Sequence, residues 1–284
     1  MSKISSVNHD SAGRRRVPTR YTPINESRVK KLTAEEWKRF RSQTAASGEH
    51  NKRSSKVLPL GVTSSFQHWD PYPLTIASAK GAYFKDVDGR KLLDLSMGFG
   101  AMLVGHLNKH VMRAVKKAMR STGTLFVTPS PIATEAAERF QKRFDVDMIR
   151  FTNSGTESTM YAIRAARAAT GKKAIIKVEG GYHGGYDPLQ VSVKAPLDKI
   201  GPAKTPKPYY PPEVEAGEVF VVPYNDLERL EEILKKDSKK IACFMVEPII
   251  ENLSIILPDE GYLKGVRALC DKYKVALIFD EVKS

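Results

Sequence analysis

Five apolar runs along this chain each end in a small polar cluster, and the repetition of that ending is the pattern to explain. Met148 to Thr152 runs into Asn153-Ser154-Gly155-Thr156-Glu157, Ala174 to Val178 into Tyr182-His183-Gly184, and Val219 to Val222 into Tyr224-Asn225-Asp226. Ile241 to Val246 ends at Glu247-Pro248, and Val275 to Phe279 at Asp280-Glu281. Short unbroken apolar runs predict strands buried on both faces. Between and before them, apolar positions recur at helical spacing. Lys109 to Met119 gathers Val111, Ala114, Val115 and Ala118, and Pro131 to Phe144 gathers Ile132, Ala136, Ala137, Phe140 and Phe144. A helix opening at Thr156 turns Ile163, Ala166 and Ala169 inward and stops at Gly171. Asp226 to Lys236 buries Leu227, Leu230, Ile233 and Leu234, with acids early and Lys235-Lys236 late, as the helix dipole favours. Pro258 to Tyr273 buries Leu263, Val266 and Leu269.

The expectation is an α/β fold, a mostly parallel sheet with helices on both faces. Ala82 to Leu95 reads as a hairpin turning at Asp88-Gly89, a small N-terminal antiparallel element. In open parallel sheets ligands lie beyond the carboxyl ends of the strands. All five polar clusters fall there. The Pro-rich stretch from Pro202 to Pro212, with Tyr209-Tyr210, is a connection on the same edge, read either as a cover for the site or as an ordinary surface loop.

Composition narrows this picture. The chain has 284 residues, 41% hydrophobic and 27% charged, enough for a sizeable core, and no run of 18 apolar residues that would span a membrane. Its formal charge of +14 is uneven: residues 1 to 56 hold 14 Lys or Arg against 5 Asp or Glu. That imbalance, with few apolar residues, predicts a basic, poorly ordered tail over 1 to 56, with a short helix from Thr33 to Phe40. A solvated extension is favoured there over nucleic-acid contact or an organelle presequence. Residues 57 to 95 then form the N-terminal part of a small domain and 96 to 284 a large one. Cys243 and Cys270 sit in apolar surroundings and read as buried free thiols, in keeping with a cytoplasmic protein.

The clusters suggest chemistry. Ser154-Gly155-Thr156-Glu157 opens a helix whose free N–H groups make an anion site, and Gly155 would let a phosphate come close. Ser154-x-x-Glu157 is equally a capping box, which would satisfy two of those donors internally. Asn153 and the Thr156 hydroxyl tilt the reading toward phosphate. Tyr182 on a glycine-rich strand exit suits stacking over a planar heterocycle. Asp280 at the tip of a buried strand calls for a cationic partner. A protonated ring nitrogen would serve, since at ~4 Å and an effective dielectric near 20 the attraction is about 4 kcal/mol. Val282, on the same strand face, could press on the ring. Phosphate anchor, stacking ring and carboxylate together describe pyridoxal 5′-phosphate.

On these residues the chain resembles the class III (fold type I) aminotransferases, most closely the glutamate-1-semialdehyde 2,1-aminomutase group. The matching stretches are Arg150 to Glu157, Lys177 to Gly184, Pro223 to Asp226 and Phe279 to Val282. The resemblance implies a pyridoxal-phosphate enzyme that moves an amino group between an amine or amino acid and a carbonyl acceptor, working as a homodimer. It assigns Ser154, Gly155 and Thr156 to the phosphate, Tyr182 and His183 to the ring's surroundings, Asn225 to the ring hydroxyl, Asp280 to the ring nitrogen and Val282 to the ring's other face. Its covalent lysine lies beyond the Asp-Glu-Val strand, in a segment this sequence does not contain, so no residue here takes that role and the chain alone is expected to be inactive. Gln67 stands where the aminomutases carry a carboxylate-gripping arginine, and a neutral amide cannot replace that charged fork. Gln67 and His68 are therefore the substrate-side candidates, for a larger or less acidic amine. His106 reads as structural.

Overall fold

The computed structural model describes residues 25–125 and 127–284. The chain divides into two units, Met1–Ser121 and Thr122–Ser284, so the division falls later than the boundary expected near residue 96. The first unit holds helices α1 (Glu26–Gln43) and α2 (Ala45–Ser54), the strands β1 (Ile76–Lys80), β2 (Tyr83–Asp86) and β3 (Lys91–Leu93), and helix α3 (Lys109–Ser121). The second holds α4 (Pro131–Phe144), α5 (Gly155–Thr170), β4 (Ala174–Val178), α6 (Asp187–Gln190), β5 (Val219–Val222), α7 (Leu227–Asp237), β6 (Ile241–Val246), α8 (Tyr262–Tyr273) and β7 (Ala276–Phe279).

The expected hairpin is present, β2 against β3 with Gly89 at φ 87°, and β1 adds a third antiparallel strand. The basic segment departs from expectation. Residues 26–54 are two helices, not a poorly ordered tail; residues 1–24 lie outside the described residues. The expected helix from Thr33 to Phe40 lies within α1, where Phe40 packs on Tyr72 with ring centroids 5.3 Å apart; the other fastenings are polar. Asn25 caps α1 by accepting from Arg28 N, and Asp88 in the hairpin turn accepts from Ala46 N (2.7 Å), Ser47 N (3.1 Å) and Ser47 Oγ (2.6 Å) at the start of α2. Capping ties of this kind leave no apolar signature in the sequence.

In the second unit the strands are parallel in the order β5-β4-β6-β7. Four of the five apolar runs are strands; Met148 to Thr152 is not, and no strand of the sheet forms there. The sheet separates two cores. Ile176, Phe244 and Val246 face Leu230 and Leu234 of α7 and Val266 of α8, whereas Ile175, Cys243 and Met245 face Ile163 of α5. Both thiols are buried and free. Helices thus cover both faces, as the unbroken apolar strands require. The chain leaves β4 for β5 on one side, then passes to β6 on the other, so the strand order reverses between β4 and β6. That reversal opens a crevice at the carboxyl ends.

Candidate functional site

The first of the rim elements is α5. It feeds β4 antiparallel to it, which brings the helix N-terminus to the strands' carboxyl rim. Ser154 Oγ accepts from Glu157 N at 3.2 Å, while Glu157 Oε2 accepts from Asn153 N at 2.7 Å, so the capping box forms, shifted by one residue on its return arm. The N–H groups of Gly155 and Thr156 have no intrahelical acceptor and remain available to an anion. The capping and anion readings are therefore compatible.

The loop leaving β4 is held against that helix. Thr156 Oγ1 accepts from Gly185 N at 3.0 Å, and Thr159 Oγ1 donates to the His183 carbonyl at 2.7 Å. Gly184 has φ +98°, and a Cβ there would lie 2.7 Å from Thr156 Oγ1 and 2.8 Å from its Cα. Only glycine fits this approach. Gln190 Nε2 donates to the Gly184 carbonyl, and Asn252 Nδ2 to the Tyr182 carbonyl at 3.3 Å. Thr159 and Asn252 hold this loop in place, and sequence reading did not single them out. Thr159 carried a signal: a hydroxyl one turn beyond Thr156, on the face of a helix that is otherwise apolar.

Asp280, 7% exposed at the end of β7, does not wait alone for a cation as the sequence suggested. Its Oδ2 accepts from His183 Nδ1 at 2.7 Å, and its Oδ1 accepts from Val282 N at 3.1 Å. His183 is 3% exposed, and its Nε2 is buried without a hydrogen-bond partner among the described residues. The side chain of Val282 packs on Gly155: a Cβ at that glycine would meet Val282 Cγ2 at 3.0 Å. The exit of β7, the N-terminus of α5 and the exit of β4 therefore converge.

The remaining clusters are linked more loosely. Glu247 accepts from Asn252 Nδ2 at 3.1 Å and from Glu251 N at 3.2 Å, and Lys283 Nζ donates to Asn252 Oδ1 at 2.6 Å. Tyr224 OH donates to the Pro248 carbonyl, and burial pushes the phenol up to about 12. Asn225 at φ 64° spends its amide on the next segment, donating to the Leu257 carbonyl and accepting from Asp259 N. Gln67 and His68 belong to the first unit, where Gln67 Oε1 accepts from Thr63 N (3.2 Å) and Thr63 Oγ1 (2.8 Å). In the same unit His106 Nε2 meets Asp94 Oδ2 at 2.7 Å, a structural pairing.

The site fits a phosphorylated aromatic cofactor on two counts: helix N–H groups left open to an anion, and a buried carboxylate ordered by a histidine. A parallel sheet with such a rim is that of the fold type I transferases. The chain belongs to the class-III aminotransferase family, whose model matches residues 65–284. It is 38% identical over 232 residues to a glutamate-1-semialdehyde 2,1-aminomutase of Methanothrix thermoacetophila, an alignment covering 81% of this chain and 53% of that protein. An omega-transaminase from Sphaerobacter thermophilus superposes with a TM-score of 0.79 at 32% identity, covering 84% of this chain and 55% of the other. A transaminase with pyridoxal phosphate bound superposes at 0.77 and 31% identity, covering 85% and 56%. The chain spans about half the length of the curated relatives it matches.

Proposed function

We propose that this rim holds pyridoxal 5′-phosphate and that the protein is a transaminase, moving an amino group from an amine or amino acid to a carbonyl acceptor. The observation that carries the reading is the convergence of Asp280, paired with His183, on the open N-terminus of α5. When bound, the cofactor supplies an electron sink for carbon–nitrogen chemistry. Gly155 and Thr156 would hold its phosphate through backbone N–H groups and the Thr156 hydroxyl, whose lone pair on Gly185 N leaves its proton free to donate. Asp280 would keep a ring nitrogen protonated, with His183 fixing which carboxylate oxygen faces inward. Tyr182 and Val282 would line the two ring faces, and Asn225 would act through the segment it pins.

The alternative is an aminomutase, which moves the group between adjacent carbons of one substrate. Gln67 favours the transaminase: its amide oxygen is occupied by its own turn, and it carries no charge for a second carboxylate. A homodimer and a cytoplasmic setting complete the proposal, the latter supported by two free thiols. No residue of these 284 is assigned the covalent lysine.

The test is a titration of the chain with pyridoxal phosphate followed by the circular dichroism induced in the ring. Binding is expected, and Asp280→Asn should weaken it by roughly tenfold to a hundredfold, the weight of a charged hydrogen bond. No binding, or equal binding by the variant, overturns the reading. Transaminase and mutase separate on whether consumption of the amine needs an added carbonyl acceptor.

A further inference from the structure

Strand β4 reads Ala-Ile-Ile-Lys-Val, and its lysine has no role in the site so far. Lys177 is 0% exposed, among the largest fully buried side chains of the protein. A lysine in such a place needs a reason, because burying its ammonium without partners is costly. Its Nζ donates to the carbonyl of Val191 at 2.7 Å, fourteen residues further along the chain. Residues 178–190 between them include Tyr182, His183 and Gly184, so this one bond closes the loop on the strand it left.

The surrounding groups strengthen the closure. Glu179 lies two residues beyond Lys177, and burial holds its carboxyl above the usual carboxylate range. Ser192 is buried at φ 59°, in the left-handed region, its N donating to the Tyr209 carbonyl and its Oγ accepting from Tyr209 N. The far end of the loop is thus fastened twice, Val191 to Lys177 and Ser192 to Tyr209. The neighbouring strand offers Met245 opposite Lys177 and the neutral Cys243, so Glu179 is the one charged group facing the lysine among the described residues.

We infer that Lys177 is a positioning residue for the cofactor site: by tying Val191 to β4 it holds the Tyr182–His183 loop so that His183 meets Asp280. It touches none of the reacting groups and acts through His183. The inference rests on the cofactor reading for its consequence, whereas the tether itself stands on the geometry alone.

The experiment compares the chain with Lys177→Met, which keeps length and volume but removes the donor, and with Lys177→Gln, which keeps a donor on a shorter arm. Hydrogen–deuterium exchange is read by peptide and unfolding by denaturant. Amides of 180–191 should exchange about tenfold faster in both variants, while α8 and β6 are unchanged and the unfolding midpoint is not lowered. In a pyridoxal phosphate titration both variants should bind about tenfold more weakly, with a smaller induced ring signal at saturation. Unchanged exchange in the loop overturns the inference. So does a lowered midpoint with faster exchange throughout, which would make Lys177 an ordinary core residue. If the unaltered chain does not bind pyridoxal phosphate, the cofactor reading falls and the exchange comparison still decides the tether.

Discussion

Helices α4 and α7 each carry an apolar stripe, yet the stripes end differently. Leu230 and Leu234 of α7 are 0% exposed, whereas Phe140 and Phe144 of α4 are 48% and 61% exposed. The difference lies in connection. Helix α7 joins β5 to β6, two parallel strands of one sheet, so it must recross the sheet and its stripe is laid on Phe244 and Ile176. Helix α4 leads into 145–154, which makes no strand, and among the described residues its rings meet local partners such as Phe151, with centroids 6.4 Å apart. Helix α3 behaves like α4, with Val111, Val115 and Met119 exposed. Amphipathic spacing therefore specifies which face of a helix is apolar, and topology specifies whether that face is covered.

The sharpest way to break this comparison is truncation. Leu234→Ala should cost about 3 kcal/mol in denaturant unfolding, through lost transfer energy and a residual cavity. Phe140→Ala should cost only about 1 kcal/mol, since about half of the residue stays in water on folding. Equal costs would mean that α4 is covered after all.

The lysine buried in the sheet differs from the polar residues on its rim. Burial holds the Lys177 ammonium down to about 7 from its ordinary 10.5, opposed by the nearby Glu179 carboxylate. Between those values the unfolded chain keeps a proton that the folded chain has released. Stability should therefore rise as pH climbs from 7 to 10.5, by at most about 1.4 kcal/mol per unit, and Lys177→Met should flatten that rise. Glu179, raised by burial, acts in the opposite sense in the acid range. Denaturant midpoints across the alkaline range in both proteins check the sign, and parallel curves would exclude the lysine as the source.

Smaller effects sharpen the description of the rim. Thr159→Val removes the hydroxyl that donates to the His183 carbonyl and should cost about 1 kcal/mol of stability while loosening the 183–185 amides in hydrogen exchange. Last, burial pushes the Cys243 and Cys270 thiols up to about 12 and about 11, so neither should be alkylated at neutral pH until the chain unfolds. Labelling in the native state would show that one of the two cores opens.

The sheet was legible because its strands are unbroken apolar runs, and β4 to β7 appear where those runs lie. The run at Met148 makes no strand among the described residues, so an apolar run alone does not specify pairing. The rim was legible in part. Gly155, Thr156, His183, Asp280 and Val282 are brought together, but their mutual bonds were hidden: nothing in the sequence says that Asp280 meets a histidine 97 positions away. Asn225 follows β5, yet its amide serves the 257–259 segment. The helices at 26–54 were legible only in part: the helix expected over Thr33 to Phe40 lies within α1, whereas the capping by Asn25 and Asp88 at the starts of α1 and α2 leaves no apolar signature.

In the proposed function Asp280, steadied by His183, keeps the nitrogen of a bound ring protonated. Nitrogen NMR of pyridoxal phosphate labelled with 15N in the ring, bound to the chain above the pH at which the free ring loses that proton, reads this directly. A pyridinium resonance with the unaltered chain and a neutral pyridine resonance with Asp280→Asn is the predicted result. A neutral nitrogen in the unaltered chain, or the same resonance in both proteins, would contradict the account.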